Sequence, residues 1–202
     1  TGFNFILPGS DPEMWFSERS KNNDTLIVWL TDTALIRQPV LNPVLKYPFT
    51  DSSGKIIVKT DTIAMRFLAP RTIRGRAPAA VILKPEISVS AGSLKPGENI
   101  LIKTQTPLQE PDTSKIILFE ILKDKARQRV GYMIEKAEGK SGFLRVRANL
   151  VPGRDYLFIA DSAALKNIYG VTSDSLGFKF LVRNPDNYGK MILNIKGYQG
   201  NR

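Results

Sequence analysis

Between residues 86 and 182 the chain breaks into seven short runs in which apolar residues alternate with polar ones or fill the run: 86–90, 99–104, 115–122, 128–135, 142–148, 156–160 and 177–182. Successive side chains of a strand point to opposite faces, so runs of this length and period predict strands. Turn-forming residues separate them, most clearly Lys95-Pro96-Gly97 and Val151-Pro152-Gly153-Arg154-Asp155. Seven short strands in about 100 residues predict a two-layer antiparallel sandwich with Greek-key connections. In the last run Phe178, Phe180 and Val182 share one face. The one good helical stretch is 162–169, where Asp161 or Ser162 would cap the first turn and Gly170 would end the last.

The preceding part of the chain alternates in the same way over residues 3–7, 14–17, 25–30, 40–47 and 55–67. Within 55–67, Ile56 and Val58 fall on one face whereas Ile63, Met65 and Phe67 fall on the other, which predicts a bulge or kink near Thr60-Asp61. Asp51-Ser52-Ser53-Gly54 suits a hairpin turn. Residues 70–85 contain three prolines and three arginines, an extended linker with a short strand expected at 80–83. The expected divisions are a sandwich-like domain over 1–78, a second sandwich over 79–184, and a terminal strand within 185–202, formed by 190–196, that either pairs with the sandwich or opens a third β-domain. The fold class is therefore all-β, two tandem antiparallel sandwiches.

The 202 residues include neither histidine nor cysteine. This removes the usual general base near neutral pH, the Ser-His-Asp triad, cysteine nucleophiles, thiolate zinc sites and disulfides. No run approaches the ~18 apolar residues of a membrane helix, and Thr1-Gly2 begins no signal peptide, so an exported parent would have lost its leader here. The net charge of +10 is one-sided: residues 1–69 hold seven Lys/Arg and seven Asp/Glu, residues 70–202 hold 22 and 12.

Residues 99–182 resemble the bacterial Ig-like domain of the S-layer SbsA type. The similar features are a strand before Thr106-Pro107, Leu150-Val-Pro-Gly-Arg-Asp-Tyr156 leading into a strand, the connection from Asp161 to Gly170, and the Phe-x-Phe final strand. The connection is longer than that family's D-x-x-G loop, with Gly170 at the loop glycine's place. The wider layout is similar to Ig-like proteins of Bacteroidetes cell envelopes, often lipoproteins, through Asp24-Thr-Leu-Ile-Val-Trp-Leu30, Thr50-Asp-Ser-Ser-Gly54 and Thr60-Asp-Thr62. The resemblance implies an exported, outer-membrane-associated or periplasmic protein without a cofactor, whose Ig-like modules act as non-catalytic spacers or adhesive elements. Its partners would be neighbouring domains of the parent, anionic envelope glycans or other surface proteins.

Two groups of residues suggest contacts. Lys123, Lys125, Arg127 and Arg129 alternate, so an extended chain would point all four the same way, with Arg145 and Arg147 nearby. Such a patch attracts phosphates or anionic glycans, and equally describes a solvated hairpin edge whose cations discourage strand addition. Nucleic acid is the weakest candidate, because no RNA-binding aromatic signature accompanies the cations. Trp15, with Trp29 and Tyr47, would serve a sugar ring if exposed and the core if not. A carbohydrate-binding module of a surface glycan-uptake system is therefore the alternative function, and a two-carboxylate glycan-processing enzyme a further one. The aspartates at 24, 32, 51, 61 and 161 suit turns and caps better than calcium, for none has EF-hand spacing.

Overall fold

The computed structural model describes residues 3–22, 24–68, 81–89, 92–137, 139–189 and 191. The protein is mostly β-strand, and among the described residues α-helix is confined to one turn, α1 (Thr33–Ile36). No described helix is long and apolar enough to cross a membrane. The chain divides into two compact units, residues 1–80 and 81–202.

The first unit has two small sheets. One orders β1 (Asn4–Ile6), β4 (Val44–Thr50) and β5 (Ile56–Thr62) side by side; the other pairs β2 (Trp15–Arg19) with β3 (Leu26–Leu30). All pairings are antiparallel. The β4–β5 turn forms where expected, because the Asp51 carboxylate accepts the Ser53 and Lys55 backbone N–H groups, each at 2.9 Å. The expected long strand with a bulge does not form. β5 ends at Thr62, and beyond it Met65 only bridges Leu41, with N···O distances of 2.8 Å both ways. The bridge keeps the ladder's register, Val44 with Thr62 and then Leu41 with Met65, so no bulge intervenes and Ile56 and Val58 face the side opposite to Met65.

The second unit is built from β6 (Glu86–Ile87), β7 (Ser93–Leu94), β8 (Ile100–Lys103), β9 (Ile116–Ile121), β10 (Arg127–Arg129), β11 (Tyr132–Ala137), β12 (Lys140–Ala148), β13 (Asp155–Ala160) and β14 (Leu176–Val182). A five-stranded sheet runs β10-β9-β13-β14-β7 and a four-stranded sheet runs β11-β12-β8-β6. Every pairing is antiparallel except β14 with β7. Inward side chains of both sheets, among them Leu118, Tyr156, Phe158 and Phe180 from one and Ile100, Ile102, Leu144 and Val146 from the other, form a single buried cluster. The arrangement is sandwich-like, with alternation supplying one inward face per sheet.

Three expectations about this unit need correction. The run 128–135 is not one strand. Val130 still donates to the Leu118 carbonyl at 2.9 Å, beside β9, whereas Tyr132 already pairs with Ala148 in the other sheet. Gly131 is the crossing point, and the Tyr132 hydroxyl ties back to the Ile116 carbonyl at 2.7 Å. The two-residue β7 has no periodic signal and is held by its neighbours: Leu181 donates to Gly92 and Arg183 to Leu94, both at 2.9 Å.

Residues 162–169 form no helix either. Asn167 is buried, and its side-chain oxygen accepts the Tyr169 and Val171 N–H groups at 3.0 and 2.9 Å while its amide nitrogen donates to Thr106 Oγ1 at 3.0 Å. The loop's backbone also pairs with residues 107–112: Gln109 with Lys166, Asp112 with Ala164 and Ile168 with Pro107. These tertiary bonds, with Ala164 and Leu165 buried beneath them, outcompete the one or two helical turns the segment could make.

Gly142 marks a close approach of two backbones. A Cβ there would lie 2.8 Å from the Thr104 carbonyl oxygen, nearer than side chains tolerate. The strand expected at 80–83 is reduced to one bridge from Leu83 to Ser173, and residues 69–80 together with the strand expected at 190–196, apart from Met191, lie outside the described residues.

Candidate binding faces

The six cations proposed as one patch occupy two sheets. Lys123 and Lys125 sit in the β9–β10 turn, which is closed by Leu122 N–H to the Ala126 carbonyl and Lys125 N–H to the Leu122 carbonyl, both at 2.9 Å. Asp124 accepts the Ala126 N–H at 3.0 Å. Lys125 has φ of 65°, so the extended alternation stops there and the two lysines do not continue the row of Arg127 and Arg129 on β10. These four side chains are exposed, and among the described residues none makes an ion pair.

Arg145 and Arg147 instead lie on β12, inside the four-stranded sheet, and both reach Glu135 Oε1 on β11, at 3.0 and 2.8 Å. Their side chains alternate with buried Leu144 and Val146, which fixes them to that sheet's outer surface. The outer surface is self-neutralised further by Lys103 to Glu86 at 3.3 Å. Beside it an open groove of about 690 Å³ is lined by Ser88, Lys95, Glu98, Asn99, Arg145 and Arg183 among others. The cations there are engaged: Lys95 with Glu98 at 3.3 Å, Arg145 with Glu135, and Arg183 with the Ser93 hydroxyl at 3.1 Å.

The five-stranded sheet has a different outer surface, which the sequence reading passed over. Register places Ile117 beside Ile159, Phe119 beside Leu157, and Ile121 beside Asp155. These residues alternate with inward Ile116, Leu118, Tyr156, Phe158 and Ala160, and none of them joins the core cluster, although Leu157 is buried and the other apolar ones are half-buried. Arg129 pairs with Phe119, and Lys179 with Leu157, so one row across four strands reads Arg129, Phe119, Leu157, Lys179. The signal was available: residues 116–119 and 156–160 are apolar in both phases of the alternation, the pattern of a strand covered on two faces. Likewise, once Phe178, Phe180 and Val182 are placed inward, Lys179 must face outward.

Trp15 is half-buried in packing. It meets Phe5 edge to face at 4.9 Å between centroids, and its indole N–H donates to Ser10 Oγ at 3.2 Å. The β2–β3 register sets Trp15 opposite Leu30 and Trp29 opposite Phe16, in adjacent rows, so the two tryptophans face opposite sides of their sheet. Tyr47 belongs to the other sheet, where it stacks on Phe3 at 5.4 Å and its hydroxyl donates to Asp61. The three aromatics are not assembled into a platform.

Four of the five aspartates serve local structure. Asp24 accepts from Ser20 and Thr25, Asp32 caps α1 by accepting the Ala34 N–H at 2.7 Å, Asp51 holds its turn, and Asp61 takes Tyr47 and Lys59. Hydrogen bonds from Ser20, Ser53 and Tyr47 are the first cause holding the Asp24, Asp51 and Asp61 carboxyls below their ordinary range.

No family model matches the chain, and no curated protein matches it. The N-terminal part of the bacterial S-layer protein SbsC is similar to 53% of this chain, at 16% identity and a TM-score of 0.39; the similar region is 25% of the length of that N-terminal part.

Proposed function

We propose that this chain is a non-catalytic structural or binding module of an exported bacterial envelope protein, and that its second unit is an immunoglobulin-like Greek-key sandwich. One observation carries the reading: β6, β8, β11 and β12 form one sheet and β7, β9, β10, β13 and β14 the other, in the orders β11-β12-β8-β6 and β10-β9-β13-β14-β7, and among the described strands the parallel pair is β7 with β14. That distribution supports the reading, since an immunoglobulin arrangement with its first strand split between sheets would give it. The buried Tyr156 near the start of β13 supports it, since its hydroxyl accepts the Val151 N–H at 2.8 Å, five residues upstream, as a tyrosine corner does.

In this reading the packed core makes a stiff spacer between neighbouring modules of the parent protein, while exposed cations of the β9–β10 hairpin supply weak, salt-sensitive attraction to envelope anions. The test is co-sedimentation of the purified chain with isolated Gram-negative envelopes and with lipopolysaccharide, across a salt series, alongside a glycan-hydrolysis panel. Binding that weakens steadily with salt and no released product is the expected result. Turnover of any glycan, or an absence of envelope binding at low salt, would overturn it.

A further inference from the structure

The outer face of the five-stranded sheet combines three properties that belong together only on a docking surface. Its centre is apolar, formed by half-buried Ile117, Phe119, Ile121 and Ile159 around Leu157, which is itself only 8% exposed. Its two flanks are cationic, with Arg127 and Arg129 on β10 and Lys179 on β14. None of these three cations has an ion-pair partner among the described residues, while the nearby carboxylates are committed elsewhere: Glu120 to Arg154 at 3.0 Å and Asp112 to Lys115 at 3.5 Å. Asp155 is the one acid of the face, at its end.

The face also has a depression. Gly177 stands beside Ile159 where any other residue would project a side chain outward, and an added Cβ there would meet nothing nearer than the Phe158 carbonyl at 4.0 Å. The hollow so left is about 430 Å³, lined by Leu157, Ile159, Ser175 and Gly177 with Arg127 and Lys179 at its sides.

From these observations we infer that the outer face of the five-stranded sheet receives an acidic amphipathic helix from a partner protein, its apolar stripe over Ile117, Phe119 and Ile159 and its flanking carboxylates on Arg129 and Lys179. Width selects the occupant. Arg129 and Lys179 are three strand spacings apart, roughly 14 Å at about 4.8 Å per strand, and a helix with its side chains is about 10–12 Å across. A helix laid along β9 and β13 fills the apolar strip and brings each of its edges to one row of cations. Helix on sheet is also the ordinary way to cover an apolar sheet face, and among the described residues this chain has no helix beyond one turn to do so. Charge complementarity argues against a second copy, which would set cations against cations.

The inference rests on the reading of this chain as a binding module. Its probe is a labelled 18-residue peptide of leucine, alanine and glutamate, with leucines in one helical stripe and glutamates on both borders, titrated by fluorescence anisotropy against the intact chain. The expected result is saturable binding that falls at least tenfold in Arg129→Glu/Lys179→Glu and in the charge-neutral Gly177→Val, which fills the hollow, and that is unchanged in Lys84→Glu; amide shifts should map to β9, β13 and β14. Circular dichroism melts confirm that each variant is folded. Equal binding of a composition-matched peptide with the stripe scrambled, preference for phosphatidylglycerol vesicles over the peptide, self-association through the face, or indifference to both variants would each overturn it. A negative result with salt-sensitive envelope binding intact removes the face and leaves the module.

Discussion

The two units use the same kind of alternating strands and reach different degrees of burial. In the second unit, sixteen residues from both sheets and their connecting loops form one buried cluster, and Tyr156, Phe158, Ile100, Ile102, Leu118 and Leu144 are closed off from solvent. In the first, only Leu7, Leu35 and Pro43 are buried among the described residues. Ile56, Val58 and Phe67 stay 71%, 69% and 63% exposed, and the buried indole N–H of Trp29 has no hydrogen-bond partner. The difference is one of layers rather than composition. A strand needs a second sheet to cover its apolar face, and a three-stranded and a two-stranded sheet provide much less cover than five strands over four. Denaturation should therefore separate the units, and both tryptophans lie in the first, so their fluorescence follows it alone.

The sharpest way to break the comparison is Phe158→Ala. The ring is fully buried on the central strand of the five-stranded sheet and stacks on Phe178 at 5.2 Å. Its removal should cost about 3–5 kcal/mol, seen as a lower midpoint in the far-UV transition of the second unit. The tryptophan transition should keep its midpoint. If both move together, the chain unfolds as one cooperative body and the contrast between units has no energetic meaning.

Much of the second unit's fold could be read from residue order alone. Strand positions in the second unit follow from alternation and turn chemistry, because both are local. What escaped were features set by contacts distant in sequence. The split at Gly131 needed the competing carbonyl of Leu118 on one sheet and the partner Ala148 on the other. The irregular loop at 162–169 needed Thr106 and residues 107–112 to satisfy its buried polar groups. In the candidate site, Arg127 and Arg129 were found from their spacing, but Lys179 joins them only through the β9–β13–β14 register, and Arg145 and Arg147 leave because their strand belongs to the other sheet. The low burial of the first unit was not legible at all, since alternation reports which residues share a face and not whether another layer covers it.

A smaller effect separates the hydrogen bond of Tyr156 from its packing. Tyr156→Phe keeps the ring against Phe180, 5.6 Å away, but leaves the Val151 N–H without its acceptor. A loss of about 1 kcal/mol is expected from the second unit. The variant also carries a pH signature. Burial is the first cause raising the Tyr156 phenol above its ordinary value, with the Val151 N–H pulling the other way. The folded state thus holds its proton more tightly than the unfolded state, so this contribution is complete below about pH 10 and declines as pH rises through that value. Urea midpoints between pH 8 and 11 should fall less steeply in the variant. The slope should not vanish, because burial raises Tyr132 and Tyr169 in the same direction.

The smallest expected change is the most demanding test of the first unit. Val58 lies on β5, an edge strand, opposite Pro48, and is 69% exposed. Threonine has the same shape and similar strand preference, so Val58→Thr should shift the tryptophan-monitored stability by less than about 0.5 kcal/mol. The matched change Val146→Thr, at a site 1% exposed in the second unit, puts a hydroxyl into a dry core and should cost about 1–3 kcal/mol. Equal costs would mean that the face carrying Ile56 and Val58 is covered in solution, and the first unit would then have to be described as a layer awaiting its partner sheet. A clear inequality would establish that the same branched residue derives its energetic weight from its surroundings, the layer above it and the strands flanking β12, and not from its own strand preference.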